Sequence, residues 1–273
     1  LSTVEIGDDN TAVGTNALIV NTASDNTAVG SLALDANEGG TRNTAVGKSA
    51  LSTVEIGDDN TAVGTNALIV NTASDNTAVG SLALDANEGG TRNTAVGKSA
   101  LSTVEIGDDN TAVGTNALLL NTASDNTAVG SLALDANSTG TGNTALGKGS
   151  LSANQTANEN TAVGYNALAV NTAANNTAVG STALDANTSG TANTAVGKSA
   201  LSANETTHEN TAVGYNTLAA NTGAYNTAVG SAALDANTTA SYNTAVGKGS
   251  LSANETGTAN TGVGYLALAA NTT

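Results

Sequence analysis

The chain contains no Cys, Pro, Met, Trp or Phe and only five Tyr. The absence of Cys excludes disulfides and thiolate metal sites. The absence of large aromatic residues argues against a thick hydrophobic core, because much of the 39% hydrophobic fraction is Ala. No apolar run approaches the roughly 20 residues of a membrane span, so membrane insertion is not expected. With 23 acidic and 7 basic residues the net charge is −16, which disfavours binding to nucleic acid.

Internal repetition is the dominant feature of the sequence, and residues 1–50 are identical to residues 51–100. A finer unit of 16 or 17 residues opens each time with Asn-Thr-Ala-Val-Gly or a close variant. Positions within the unit are counted from this Asn, and Asn, Thr, Gly and Leu never vary at positions 1, 2, 5 and 9. The sixteen units begin at Asn10, Asn26, Asn43, Asn60, Asn76, Asn93, Asn110, Asn126, Asn143, Asn160, Asn176, Asn193, Asn210, Asn226, Asn243 and Asn260.

The length of the unit predicts an all-β fold, a parallel β-solenoid with one coil per repeat and about sixteen coils. Helical repeats need about 30 residues or more and leucine-rich repeats at least about 20. Gly, Asn and Thr recur in every unit, and all three are unfavourable inside helices. We therefore expect residues 1–273 to form a single continuous solenoid domain, a segment of a longer protein, in which stacked coils bury one thin stripe.

Each invariant position suggests a structural role. Asn at position 1 and Thr at position 2 are expected to form ladders along the stack, each Asn amide bonding the copies in the adjacent coils. Val at position 4 and Leu at position 9 are assigned to the interior stripe, which turns Ala at position 3 and Gly outward. Gly at position 5 is expected to form the corner. In the first three units the ladder residues are Asn10, Asn26, Asn43, Thr11, Thr27 and Thr44, the stripe residues are Val13, Val29, Val46, Leu18, Leu34 and Leu51, and the corners are Gly14, Gly30 and Gly47.

Three further sequence patterns lie at position 12 and in the loops: a frequent Asn, possible glycosylation triplets and pairs of adjacent acids. Position 12 is usually Asn, with Val54 and Val104 as exceptions. Several Asn-x-Ser/Thr triplets are assigned to variable loops, where a glycosylating host could modify them. They include those at Asn137, Asn154, Asn187, Asn204, Asn237 and Asn254. The adjacent acids Asp8-Asp9, and their copies fifty and one hundred residues later, lack the Gly-rich pattern of calcium-binding repeats, so no metal site is expected.

The run Asn-Thr-Ala-Val-Gly-Tyr-Asn-Ala-Leu at 160–168 resembles repeats in the β-roll heads of trimeric autotransporter adhesins. It is also similar to repeats of phage tail-fibre proteins that end in an endosialidase-type chaperone. The resemblance covers essentially the whole chain. It implies a left-handed β-roll that often forms homotrimers, is exposed on a cell surface or virion, and is not an enzyme in this part of the protein. The adhesin repeats are usually shorter, and the chain carries no coiled-coil stalk, anchor or chaperone sequence of that kind.

Charged and aromatic residues follow the fifty-residue period. Lys occupies position 6 of every third unit, and Asp recurs with the same period. Solubility accounts for these rows, and a lateral contact between rods is the alternative. Tyr165, Tyr215 and Tyr265 also lie at position 6, where they either cover aliphatic surface or form a strip that binds sugars or another rod. The rows are Lys48, Lys98, Lys148, Lys198 and Lys248, and Asp35, Asp85, Asp135, Asp185 and Asp235.

Two functions remain open. The first is a non-catalytic structural rod or filament segment of an extracellular fibre, surface adhesin or tail fibre, which self-associates as a homotrimer or as an end-to-end or lateral polymer. The second is a solenoid that presents Thr and Asn arrays to ice or to surface glycans. Catalysis is not expected and no cofactor is implied, because the single His208 lies in a variable loop without a cleft or a partner base.

Overall fold

The protein is described by a computed structural model that covers residues 7–52, 57–103 and 106–273. The described residues are all-β, with no helix, and form a parallel β-solenoid in which each repeat makes one coil. The predicted fold class is therefore confirmed. Val54 and Val104, the exceptions at position 12, lie outside the described residues.

The coils cluster into two compact units, residues 1–139 and 140–273. The single continuous domain stays a prediction, as does the left-handed coil direction. In the first unit the three-residue strands are Thr11–Val13, Thr27–Val29, Thr44–Val46, Thr61–Val63, Thr77–Val79, Thr94–Val96, Thr111–Val113 and Thr127–Val129, and the two-residue strands are Val20–Asn21, Ala36–Asn37, Val70–Asn71 and Ala86–Asn87. In the second unit the strands are Thr144–Leu146, Thr161–Val163, Thr177–Val179, Thr194–Val196, Thr211–Val213, Thr227–Val229, Thr244–Val246 and Thr261–Val263.

Strand pairing within each unit is parallel and in register. Thr11 pairs with Thr27, Ala12 with Ala28 and Val13 with Val29, and the same register recurs from coil to coil. Strands in a sheet lie about 4.8 Å apart, so eight coils extend about 34 Å along the axis of one unit. Like side chains therefore form columns parallel to that axis.

The interior of a coil is built from small residues and amides. In the coil that starts at Asn26, the fully buried side chains include Ala28, Ala33, Leu34 and Asn37 as well as Asn26 itself. Leu34 and Leu51 lie in this core, whereas Leu18 is only half-buried because it belongs to the first coil. The assignment of Leu at position 9 to the interior is confirmed for these inner coils.

The assignment of Val to the interior is wrong. Val29 and Val46 are each 37% exposed and Val13 is 58% exposed, while the neighbouring alanines at position 3 of inner coils are fully buried. The reason is space. At Gly262, where Ala is replaced, an added Cβ atom would lie 2.7 Å from Oγ of Ser250 and 3.1 Å from Cγ of Leu251, so position 3 of this coil leaves no room for a Val side chain. Strand alternation then turns Thr and Val together toward the outside.

The corner role of Gly is confirmed by its backbone. Gly14, Gly30 and Gly47 have φ angles of 139°, 142° and 143°, in a region that other residues rarely adopt. A Cβ atom on Gly30 would also lie 2.4 Å from the carbonyl oxygen of Gly47 in the next coil. Two independent constraints therefore require Gly at position 5.

The turn after the corner places Leu in an unusual conformation. Leu34, Leu51 and Leu184 have φ angles of 48°, 49° and 51°, in the left-handed region that disfavours bulky residues. Their complete burial offsets this strain, because a buried Leu contributes about 1.5–3 kcal/mol. The shape of the coil is thus set by an invariant Leu as well as by the invariant Gly.

Candidate functional site

The position-1 asparagines form a ladder, but not the amide-to-amide ladder that the sequence suggested. The backbone N–H of Asn26 donates to Oδ1 of Asn10 at 2.8 Å, and that of Asn43 donates to Oδ1 of Asn26 at 2.9 Å. The Nδ2 atom of Asn26 donates to the carbonyl oxygens of Ser24 and Gly40. Each side chain therefore bonds to backbone groups of the preceding repeat, of its own repeat and of the next repeat, which satisfies buried polar groups of the loop.

Amide-to-amide bonding between coils recurs instead at position 12, and at position 1 it is found between Nδ2 of Asn160 and Oδ1 of Asn143 at 3.2 Å. Nδ2 of Asn37 donates to Oδ1 of Asn21 at 2.9 Å, and Nδ2 of Asn187 donates to Oδ1 of Asn171 at 2.7 Å. These side chains are buried, and so are the Asn residues of six Asn-x-Ser/Thr triplets, Asn137, Asn154, Asn187, Asn204, Asn237 and Asn254. All six lie outside the strands, but their burial makes their side chains inaccessible to glycosylation in the folded chain. Burial likewise removes the Asn columns at positions 1 and 12 of the inner coils from any array offered to a ligand, whereas Asn at position 7, as in Asn66 and Asn166, stays partly exposed.

The outward side chains of each unit make a Thr/Val face, defined as the position-2 Thr and position-4 Val (Leu146 in one strand) of its eight three-residue strands. Thr11, Thr27 and Thr44 stack in register on this face, and no hydrogen bond joins the position-2 hydroxyls in the part of the chain that the structure describes. The face carries no charged residue. It consists of one column of hydroxyl and methyl groups beside one column of branched aliphatic groups.

Charge is segregated across the coil. All five Lys occupy position 6, and none of the sixteen units carries an acid at positions 1–8. Backbone hydrogen bonds align position 6 between coils. The N–H of Asn166, the residue after Tyr165, donates to the carbonyl of Lys148, and the N–H of Thr182 donates to the carbonyl of Tyr165. In the second unit this gives a Lys/Tyr column, which consists of Lys148, Tyr165, Ser181, Lys198, Tyr215, Ser231, Lys248 and Tyr265.

The Asp row lies at position 10 and is half-buried. Burial raises the pKa of Asp35, Asp85, Asp135, Asp185 and Asp235 above the ordinary value. In each of these five residues the Oδ1 atom is buried without a hydrogen-bond partner. Solubility does not explain a carboxylate held in this way, so the row is a destabilising feature at neutral pH.

The adjacent acids are held by neighbouring coils. The backbone N–H and hydroxyl of Thr41 donate to Asp58, which lowers the pKa of Asp58, and the bidentate contact with Arg42 lowers that of Asp59. Arg92 and Asp109 form the corresponding pair one super-repeat later. Within residues 7–52, 57–103 and 106–273, no group of three or more His, Cys, Asp or Glu residues could hold a metal ion.

His208 occupies the place that Asp58 and Asn158 occupy in earlier repeats. Its Nδ1 atom accepts from the backbone N–H of Thr191 at 2.9 Å and lies 3.0 Å from the Thr191 hydroxyl. The side chain thus replaces an Asp or Asn in a coil-to-coil bond. The geometry gives it a structural role, and the repeat alignment could have revealed this from the sequence.

None of the described residues forms a helix with the length and apolar character that a membrane span needs. No protein-family model matches the sequence, and no curated protein is similar enough to it to serve as a relative. The resemblance to adhesin heads and tail fibres therefore stays a prediction.

Proposed function

We propose that the chain is a non-catalytic structural rod segment of an extracellular fibre, surface adhesin or tail fibre, and that copies associate through the Thr/Val face. The observation that carries the proposal is the column of exposed Val on a sheet without charge. Val179, Val229 and Val246 are 36–38% exposed, although the Ala and Leu side chains at positions 3 and 9 of the same coils are fully buried. Regular apolar patches of this kind are typical of surfaces that contact other molecules.

The size of the face suits weak association with a second copy. A three-residue strand is about 10 Å long and eight strands extend about 34 Å, so each unit offers roughly 350 Å². This is less than half of the ~800 Å² per partner of a stable interface, so pairing of one face with one face gives a weak, concentration-dependent contact. Copies of the same chain share one coil spacing, so their Thr and Val columns can interdigitate along the whole face.

Lysine substitution on the face tests this association. The double variant Val179→Lys and Val213→Lys places two charges on the face, and both side chains are at least partly solvent-exposed, so the coils should still fold. The matched control is Val170→Lys, because Val170 is 42% exposed but lies outside the strands. Sedimentation velocity should show oligomers for the natural chain and the control, and monomers for the double variant. Monomers in all three samples would refute the proposed interface.

Ice binding is a second candidate, favoured by the outward orientation of Thr. Burial of Val would have turned the position-2 Thr inward as well, but the structure places Thr and Val together on the outer side of an in-register, uncharged sheet. Thermal hysteresis at millimolar protein should then be measurable and should fall on Thr177→Lys with Thr211→Lys. The control Thr206→Lys changes an exposed loop Thr. Absence of hysteresis in the natural chain would eliminate this candidate.

Support for the non-catalytic part of the proposal comes from the use of the polar side chains. The single His and the adjacent Asp pairs are engaged in coil-to-coil hydrogen bonds. A structural rod needs such bonds along its full length, because each coil contacts only its neighbours. The extracellular location rests on the family resemblance.

A further inference from the structure

The Lys/Tyr column differs between the two units in a way that self-association does not require. Both units carry Lys at position 6 of every third coil. In the first unit the two coils that flank each Lys carry Thr or Ser at position 6, as in Thr65 and Thr115. In the second unit the corresponding residues are Tyr165, Tyr215 and Tyr265. An aromatic ring has therefore been placed one coil from each Lys in this unit alone.

These rings are exposed and unpartnered. Tyr165 and Tyr215 are each 54% exposed and Tyr265 is 72% exposed. Among the described residues, the aromatic rings that stack on each other are those of Tyr225 and Tyr242, whose centroids are 5.1 Å apart and which lie in a different column. The three Tyr of the column thus leave their ring faces open to a ligand instead of covering another ring.

The lysines beside them are also free of ion pairs. Lys148, Lys198 and Lys248 are exposed, and the salt bridges of the described residues involve Arg42 and Arg92 only. Residues 140–273 carry 6 acids and 3 Lys, a net charge of −3, whereas residues 1–139 carry 17 acids and 4 bases, a net charge of −13. The unit that gained Tyr is therefore also the unit that repels an anion least.

We propose that the Lys/Tyr column of residues 140–273 binds an acidic polysaccharide. Tyr rings pack against the C–H faces of sugar rings while their hydroxyls stay hydrated. Each Lys ammonium pairs with a carboxylate or sulfate of the same polymer. The Lys–Tyr pairs recur every three coils, about 14 Å apart, so a polymer with repeating charges can engage three pairs at once.

The choice of ligand follows from the combination of residues. A ligand bound by charge alone would be served by the Lys rows of both units, and only the second unit adds aromatic surface. Nucleic acid would need a denser basic surface than one Lys every three coils. A second copy of this chain would bring its own acids, but it offers little surface for Tyr to stack on, because its exposed acids lie in Gly-, Ser- and Thr-rich loops.

The chain supplies its own test variants. The triple variant Tyr165→Thr, Tyr215→Thr, Tyr265→Thr installs the residue that the first unit carries at equivalent positions, as at Thr15, Thr65 and Thr115, so folding should be preserved. The control is Tyr225→Thr with Tyr242→Thr, which removes the same kind of residue from another column. Circular dichroism melting curves check that both variants fold like the natural chain.

Binding is measured by biolayer interferometry on immobilised alginate, a polyuronate, with dextran as an uncharged polymer and single-stranded DNA as a polyanion without sugar carboxylates. The proposal predicts alginate binding by the natural chain and the control, and a loss on the order of 100-fold in affinity for the triple variant, because multivalent contact is removed. No alginate binding, equal binding by the triple variant, or DNA binding as tight as alginate binding would each overturn it. Sedimentation velocity on the same samples reports self-association separately, so either proposal can fail alone.

Discussion

Asn193 donates its backbone N–H to Oδ1 of Asn176 at 2.9 Å, one coil earlier. Nδ2 of Asn176 in turn donates to the carbonyl of Gly190 at 2.8 Å. Asn193 and Gly190 are buried in the stack, so one amide side chain satisfies the N–H that opens the next repeat and a carbonyl in the loop that ends its own repeat. A chain with a core of Ala and Leu thus uses its most invariant polar residue to hold successive loops in register.

Removal of one such amide should be costly. Asn176→Ala leaves the N–H of Asn193 without its partner, whereas the carbonyl of Gly190 keeps the bond from Nδ2 of Asn187 at 2.9 Å. One buried unsatisfied group costs about 1–3 kcal/mol, so we expect a loss of about 1–3 kcal/mol in the free energy of unfolding, measured by urea denaturation. The control Glu205→Ala changes an exposed loop side chain and should cost less than ~0.5 kcal/mol. Equal stability of the two variants would show that the ladder contributes nothing.

The left-handed conformation of Leu makes a second prediction. Leu184 is fully buried with φ of 51°, a conformation that a β-branched residue tolerates poorly. Leu184→Ile should therefore destabilise the protein by about 1–2 kcal/mol more than Leu184→Met, although both replacements keep the volume of the side chain. Thermal melts of the two variants measure the difference. A more stable Ile variant would contradict the assigned backbone conformation.

The half-buried Asp row predicts an unusual dependence on pH. Because burial raises the pKa of Asp185 in the folded state, its ionised form opposes folding above that pKa, and the penalty disappears as pH falls to the unfolded value near 3.8. Asp185→Asn should therefore raise the melting temperature at pH 7 and have little effect on it at pH 3.

The control for this row is Glu205→Gln, which neutralises an exposed acid and should change stability little at either pH. The acids at Asp58 and Asp59 act in the opposite direction. Their pKa values are lowered, so their contribution to stability is present above pH 3.8 and is lost as pH falls through their folded values. An Asp185→Asn gain that persisted unchanged at pH 3 would refute the role of burial.

Repeat length and invariance were sufficient to predict the coil, the corner Gly and the interior Leu, because each depends on the 16–17-residue period or on a residue with few alternatives. The orientation of the strand could not be predicted in this way. A three-residue strand alternates between two faces, and hydrophobicity alone favours burial of Val over Ala. Two exceptions to the repeat did indicate the orientation of the strand. Position 4 accepts the larger Leu146 in place of Val, whereas position 3 changes to the smaller Gly262 in place of Ala.

The hydrogen-bond partners of the Asn side chains also could not be predicted from the sequence. An Asn column predicts a ladder, but the choice between amide and backbone partners depends on how the loop folds over the side chain. At position 1 the loop carbonyls and the next N–H lie within reach, whereas at position 12 the neighbouring amide does. The positive φ of Leu34 has no sequence signature, since Leu is ordinarily avoided in that conformation.

The orientation of Thr-Ala-Val is the basis of the Thr/Val face proposed above, and thiol labelling tests it most directly because the chain has no Cys. Ala178→Cys and Val179→Cys place single thiols at neighbouring positions of one strand, and labelling in denaturant gives the rate for an open thiol. At concentrations low enough to dissociate oligomers, the thiol at 179 should react close to the open rate while the thiol at 178 stays protected. Equal reactivity of the two thiols in the folded chain, or protection of position 179 alone, would contradict the account.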